Sequence, residues 1–209
     1  MPKYFHSTFE DGGVAIWHIT ETVDALYALL NTQRYDSVLA TIRHETRRAE
    51  WLAVRVLLAE VLGDDKEIAY HASGRPYLVD DSWQISISHT KGYAAIAYHR
   101  KHGVGIDIER LSSRVERIAD RFTSSEEALY IGECNKHQRM MLYLINWSAK
   151  ETLYKWIDLP LMADFKNSFS IRPYSVGQEG ELDVFIGPIR QVARVCYRQF
   201  PDFVCTWIL

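Results

Sequence analysis

Two acids stand two residues apart in Val104-Gly105-Ile106-Asp107-Ile108-Glu109. Val104, Ile106 and Ile108 alternate with Gly105, Asp107 and Glu109, which is the period of a strand with one face toward a core. On such a strand the two carboxylates share the opposite face, about 7 Å apart at Cα. That is near enough to share one hard cation. Like charges so placed repel unless something positive lies between them. Two solvated acids at a strand end would give the same letters. A third acid, Glu151, lies in the helical run Met140–Ile157, which is apolar nearly all round and so reads as a buried central helix. The charges of that run, Lys150, Glu151 and Lys155, fall within one arc of about 140°. Glu151 and Lys155 also form a favourably oriented i,i+4 pair. The arc suits either a solvated stripe or the wall of a polar site. Arg47, Arg48 and Arg55 interrupt another apolar helix, and Arg48 and Arg55, seven apart, share a face. They suit anion binding, a solvated face, or partners for buried carboxylates. His89 closes a strand, Trp83-Gln84-Ile85-Ser86-Ile87-Ser88, in which Trp83, Ile85 and Ile87 face a core and Ser86 and Ser88 face away.

Several chemistries are unsupported. The chain has no GxxxxGK(S/T) phosphate loop, and Gly103-Val104-Gly105 lacks the third glycine of a dinucleotide fingerprint. His44-Glu45-Thr46-Arg47-Arg48 lacks the second histidine of a zincin, and no GxSxG elbow occurs. The eight histidines show no zinc spacing. Cys134, Cys196 and Cys205 are odd in number without CxxC spacing, which reads as reduced thiols of a cytosolic protein. Asn146-Trp147-Ser148 fits a glycosylation pattern but lies inside the apolar helix, so it is dismissed.

The elements that must carry these residues follow from pattern and punctuation. A strand is expected at 14–18, helices at 21–31 and 36–62, and strands at 83–88, 93–98 and 104–109. A helix starts near Thr123, where Thr123-Ser124-Ser125-Glu126 has the form of a capping box. A long helix covers 138–157, and strands at 168–174, 181–186, 191–199 and 202–208 close the chain. Mixed helices and strands, with late strands close together as in antiparallel meanders, argue an α+β fold. Each half runs strand, helices, strands, which suggests two similar lobes, 1–102 and 103–209.

The chain has 209 residues, 47% hydrophobic and 24% charged, which suits a globular protein and excludes intrinsic disorder. No stretch approaches the roughly 20 apolar residues that cross a bilayer, and the first residues carry no apolar signal core. A net charge of −3 gives no global case for nucleic acid.

Four segments in order resemble one family. Gly74-Arg75-Pro76-Tyr77-Leu78 is similar to a Gly-Lys/Arg-Pro-x-Leu/Ile segment, and Ser86-Ile87-Ser88-His89-Thr90 to a Ser-x-Ser-His motif. Gly103–Glu109 resembles a Gly-Ile/Val-Asp-Ile/Val-Glu strand. Trp147-Ser148-Ala149-Lys150-Glu151-Thr152-Leu153-Tyr154-Lys155 resembles Trp-x-x-Lys-Glu-Ser/Ala-x-x-Lys. Order, spacing and context are those of the 4'-phosphopantetheinyl transferase superfamily in its longer two-lobed form. Similarity extends more weakly to 48–55 and 121–127. Thr152 departs from the usual Ser or Ala, adding bulk beside Glu151 but removing no ligand.

The resemblance implies two α+β lobes about a pseudo-twofold, with coenzyme A in the cleft between them. It implies Mg²⁺-dependent transfer of the phosphopantetheine arm to a serine of an acyl or peptidyl carrier protein, with adenosine 3',5'-bisphosphate as by-product. Asp107, Glu109 and Glu151 become the metal ligands, with Glu151 a candidate base for the serine proton. Lys150 and Lys155 face the pyrophosphate. Ser88 and His89 meet coenzyme A phosphate, His89 the 3'-phosphate. Arg75 lies by the adenine or 3'-phosphate, with Arg48 or a neighbouring arginine as helper. Arg110, Arg114, Arg117 and Arg121 are candidates for a basic patch that receives an acidic carrier, or for a solvated charged helix. A cytoplasmic monomer is expected. Competing readings are a non-catalytic coenzyme A-binding relative, a Mg²⁺-dependent hydrolase of nucleotide pyrophosphates, and a structural interaction domain.

Overall fold

A computed structural model describes residues 3–30, 32–157 and 164–209. Contacts divide the chain into two units, Met1–Val104 with Leu209, and Gly105–Ile208.

In the first unit, β1 (Lys3–Phe9), β2 (Gly12–His18), β5 (Gln84–Thr90) and β6 (Tyr93–His99) form an antiparallel sheet in the order β1-β2-β6-β5. Between β2 and β5 the chain runs through α1 (Val23–Leu30), α2 (Asp36–Thr41), α3 (Glu45–Leu62) and a small hairpin of β3 (Ile68–Tyr70) and β4 (Pro76–Leu78). Trp17, Leu26, Leu52, Leu57, Ile85 and Ile96 meet in one core. Each such large side chain, fully buried, contributes about 1.5–3 kcal/mol.

The second unit has β7 (Gly105–Arg110), β8 (Phe169–Ile171), β9 (Glu179–Ile186), β10 (Gln191–Gln199) and β11 (Phe203–Ile208), antiparallel in the order β7-β11-β10-β9-β8. Its helices are α4 (Arg114–Ile118), α5 (Ser125–Gly132), α6 (Lys136–Ile157) and α7 (Phe165–Ser168). Ile145, Ala149 and Leu153 of α6 pack with Phe122, Val184, Val195 and Val204. Both units are therefore α+β with antiparallel sheets, as the mixed pattern predicts.

Four details differ from the sequence expectation. The helix expected over 36–62 is broken: Ile42 and His44 are extended, and α3 restarts at Glu45. No proline or glycine marks the break; instead Arg48 Nε donates to the freed Ile42 carbonyl at 2.6 Å. The capping box is one residue later, with Ser124 Oγ accepting from Glu127 N at 3.2 Å and Glu127 Oε2 from Ser124 N at 2.9 Å. β1 was hidden because its half-exposed residues show no alternation. The three-residue strands β3 and β4 are too short for a periodic signal. Among the described residues, no helix is long and apolar enough to cross a membrane.

Candidate active site

The acidic site is built by α6 lying on β7 and β11. Gly105 permits this approach: a Cβ there would overlap the Thr152 carbonyl oxygen. The second face of β7 is therefore covered, and Asp107 is only 5% exposed rather than solvated. Its Oδ1 accepts from Lys155 Nζ at 2.7 Å. The same ammonium donates to the Ile106 carbonyl at 3.1 Å. Asp107 Oδ2 accepts from the Ser148 hydroxyl at 2.9 Å. Glu109 Oε1 accepts from the Trp147 indole at 2.8 Å. Burial raises the Glu109 carboxyl, and the neighbouring Asp107 charge raises it further. Glu151 is pushed up to about 7, first by burial, then by Asp107, with Glu109 adding to it against Lys155. The strand acids and the helix acid thus share one field, with Lys155 as the adjacent cation.

Lys150 is not part of this group. Although it is within 140° of Lys155 on the wheel, its ammonium points to the other side of the crowded helix. It donates to Glu127 Oε2 at 2.9 Å and to the Phe122 carbonyl at 2.6 Å, with both ionic side chains fully buried. Glu127 also accepts from Ser124 N and from Ile171 N, at 2.9 and 2.8 Å. Burial lowers the Lys150 pKa, opposed by the Glu127 charge. The expected pyrophosphate contact therefore has no geometric support: Lys150 ties α6 to α5 and β8.

The donor set suits a Mg²⁺ ion. It consists of hard carboxylate oxygens, partly buried, with more negative than positive charge. Among the described residues, no three His, Cys, Asp or Glu side chains converge tightly enough to hold an ion by themselves. Mg²⁺ commonly takes only one or two carboxylates and completes its octahedron with water and substrate phosphate. Asp107 with Glu109 or Glu151 meets that need.

The first unit holds a basic pocket of about 420 Å³ lined by Arg47, Trp51, Arg55, Gly74, Pro76 and His89 among others. Arg47 Nη1 lies 3.0 Å from Glu50 Oε2 and 3.2 Å from His89 Nε2. Glu50, 7% exposed, also lies 3.5 Å from His89 Nδ1. Arg55 stacks on the Trp51 ring, and burial lowers its pKa. Gly74 and Pro76 flank Arg75 on the β3–β4 turn, and the Arg75 carbonyl accepts from His71 N at 2.9 Å. Gly74 turns at φ +88°, open to the left-handed region at little cost. Ser88 is buried in β5 opposite Ala95, beside His89.

Of the helper arginines, Arg48 donates its Nε to the Ile42 carbonyl and lines a separate shallow hollow with Asp24, Tyr27 and Asp36. Arg47 stands with His89 instead. Sequence reasoning missed Glu50; the Arg47–Glu50 i,i+3 spacing was the available signal. Arg110, Arg114, Arg117 and Arg121 are all exposed, at the end of β7, on α4 and just after it.

The edge strand of the second sheet thus carries paired acids under a Lys-bearing helix. Residues 103–199 match the family model of the 4'-phosphopantetheinyl transferase superfamily. Similar relatives include 4'-phosphopantetheinyl transferase AcpT of Salmonella typhimurium, 29% identical over 128 residues. That match covers 57% of this chain and 64% of the relative. The 4'-phosphopantetheinyl transferase gsp of Aneurinibacillus migulanus is 30% identical over 109 residues, 51% of this chain and 45% of its own. The chain thus spans less than two thirds of the length of these curated relatives.

Proposed function

We propose that this protein transfers the 4'-phosphopantetheine group of coenzyme A to a serine hydroxyl of an acyl or peptidyl carrier protein. The reading is carried by the Asp107–Lys155 ion pair at 2.7 Å, flanked by Glu109 and Glu151. The superfamily match and the names of the relatives support it.

In this reading the serine oxygen attacks the pyrophosphate phosphorus that carries pantetheine. The bond from that phosphorus to the bridging oxygen breaks, and adenosine 3',5'-bisphosphate leaves. Asp107 and Glu109 hold Mg²⁺, with Glu151 completing the acidic set. Mg²⁺, when bound, neutralises charge on the phosphate oxygens. Lys155 stabilises the leaving pyrophosphate oxygen. Glu151 takes the serine proton, directly or through a water. Arg47 and His89 take the 3'-phosphate, with Ser88 adding a hydroxyl; Arg75 lies by the adenine or the 3'-phosphate. Arg110, Arg114, Arg117 and Arg121 offer an acidic carrier a basic surface. The enzyme works as a cytoplasmic monomer.

The test is release of adenosine 3',5'-bisphosphate from coenzyme A with and without an apo carrier. Carrier-dependent release is expected. Release without a carrier would make the protein a pyrophosphate hydrolase, and coenzyme A binding without release would make it a non-catalytic module.

A further inference from the structure

Asp107 is fixed from two sides, by Lys155 on Oδ1 and by Ser148 on Oδ2. The second contact continues inward. Ser148 Oγ is 2.9 Å from Thr206 Oγ1, and Thr206 Oγ1 is 2.6 Å from Thr152 Oγ1. Ser148, Thr152 and Thr206 are all fully buried. The placement follows from the fold. Thr206 stands directly opposite Asp107 in the β11–β7 ladder. Ser148 and Thr152 are about one turn apart on the face of α6 that Gly105 lets close onto the sheet.

One arrangement of the protons serves all three side-chain contacts. A hydroxyl has one proton to donate, and a carboxylate only accepts. Ser148 gives its proton to Asp107, so it can only accept from Thr206. Thr206 is then committed as a donor to Ser148, so it accepts from Thr152. Thr152 Oγ1 also lies 3.1 Å from the Thr206 carbonyl oxygen, a second acceptor for the same proton. The chain runs one way, from Thr152 through Thr206 and Ser148 to Asp107. Successive bonds of this kind polarise one another in a dry site.

We propose that this chain is a positioning device for Asp107, with Ser148, Thr206 and Thr152 as positioning residues. The inference rests on the reading that Asp107 holds Mg²⁺. With Oδ2 accepting from Ser148 and Oδ1 from Lys155, the carboxylate is held in one orientation, with Oδ1 on the Lys155 side. Single-oxygen ligation suits the strict octahedron of Mg²⁺. The chain also gives Thr152 a purpose where the resemblance has Ser or Ala. Its β-branch restricts χ1, so the hydroxyl is held toward Thr206, and an Ala there would lack the first link.

The test titrates Mn²⁺ into the full chain in the presence of coenzyme A and reads the free ion by electron paramagnetic resonance. Ser148→Ala is expected to weaken Mn²⁺ binding about tenfold, the lower end for residues that orient a metal ligand. Thr206→Val and Thr152→Val, one and two links further from the carboxylate, should each weaken it by a smaller factor. Thr152→Ser should bind as wild type does. Calorimetric coenzyme A affinity should not change in any of them. If Asp107→Asn weakens Mn²⁺ binding while Ser148→Ala and Thr152→Val do not, the positioning role is overturned and the metal reading stands. If Asp107→Asn binds Mn²⁺ as tightly as wild type, both are overturned. A lowered Tm with unchanged Mn²⁺ affinity would reduce the hydroxyls to structural links and overturn the proposal. Should Thr206→Val fail to fold, the Thr152 pair of variants decides.

Discussion

The two lysines of the Trp147–Lys155 segment differ only five positions apart, yet burial gives them opposite work. Lys150 neutralises Glu127 where neither side chain meets solvent. Removing one member of such a pair leaves an unpaired buried charge, which costs about 3–5 kcal/mol. Lys150→Met should therefore lower the urea midpoint sharply. Lys155 is more than a quarter exposed, with a side-chain exposure of 28%. Lys155→Met leaves the buried Asp107 without its cation, but the site opens to solvent on the lysine side, so it should lower the midpoint less than Lys150→Met and abolish turnover. Equal stability losses in both variants would contradict the division. Arg47 and His89 offer a second contrast. If they hold the 3'-phosphate, Arg47→Ala and His89→Ala should each weaken coenzyme A binding roughly tenfold or more, the worth of a charge-assisted hydrogen bond. Dephospho-coenzyme A, which lacks that group, should bind wild type and variants alike in calorimetry. At this scale the periods put Asp107 and Glu109 on one strand face and Glu151 with Lys155 on one helix face, while the joining of the two faces rested on the family resemblance. The fate of Lys150 was not legible in the sequence: Glu127 is 23 residues away, and the Phe122 carbonyl 28. Nor was the choice between Arg48 and its neighbour Arg47, which turns on a helix break at Ile42 that no residue type announces.

The elements α6 and β7 carry the proposed site, and one glycine sets their distance. A methyl at Gly105 would meet the Thr152 carbonyl and the Trp156 side chain. Gly105→Ala should push α6 outward at a cost of about 1–3 kcal/mol. Because Lys155 and Ser148 reach Asp107 only from α6, activity should fall further than stability. A denaturation midpoint and a turnover rate measured on the same preparation separate the two effects. Unchanged turnover would show that the spacing is not critical. Long periodic elements such as α6 and β10 were legible to within two residues. β3 and β4 were not, since three residues pair only through the turn that joins them.

At the scale of the whole molecule, each unit has its own core and its own polar concentration, acidic in the second and basic in the pocket of the first. The exposed arginines 110, 114, 117 and 121 add local positive charge, with Glu116 and Asp120 among them, to a chain of net charge −3. Local charge of this kind steers association. Joint reversal, Arg114→Glu with Arg117→Glu, should raise KM for the carrier about tenfold and leave KM for coenzyme A unchanged. Equal effects on both would remove the docking role. The most direct measurement is the intact mass of an apo acyl carrier protein after incubation with this protein, coenzyme A and Mg²⁺. A gain of one phosphopantetheine is predicted, lost with EDTA and lost with Glu151→Gln. No gain across several apo carriers, with coenzyme A bound, would contradict the transfer.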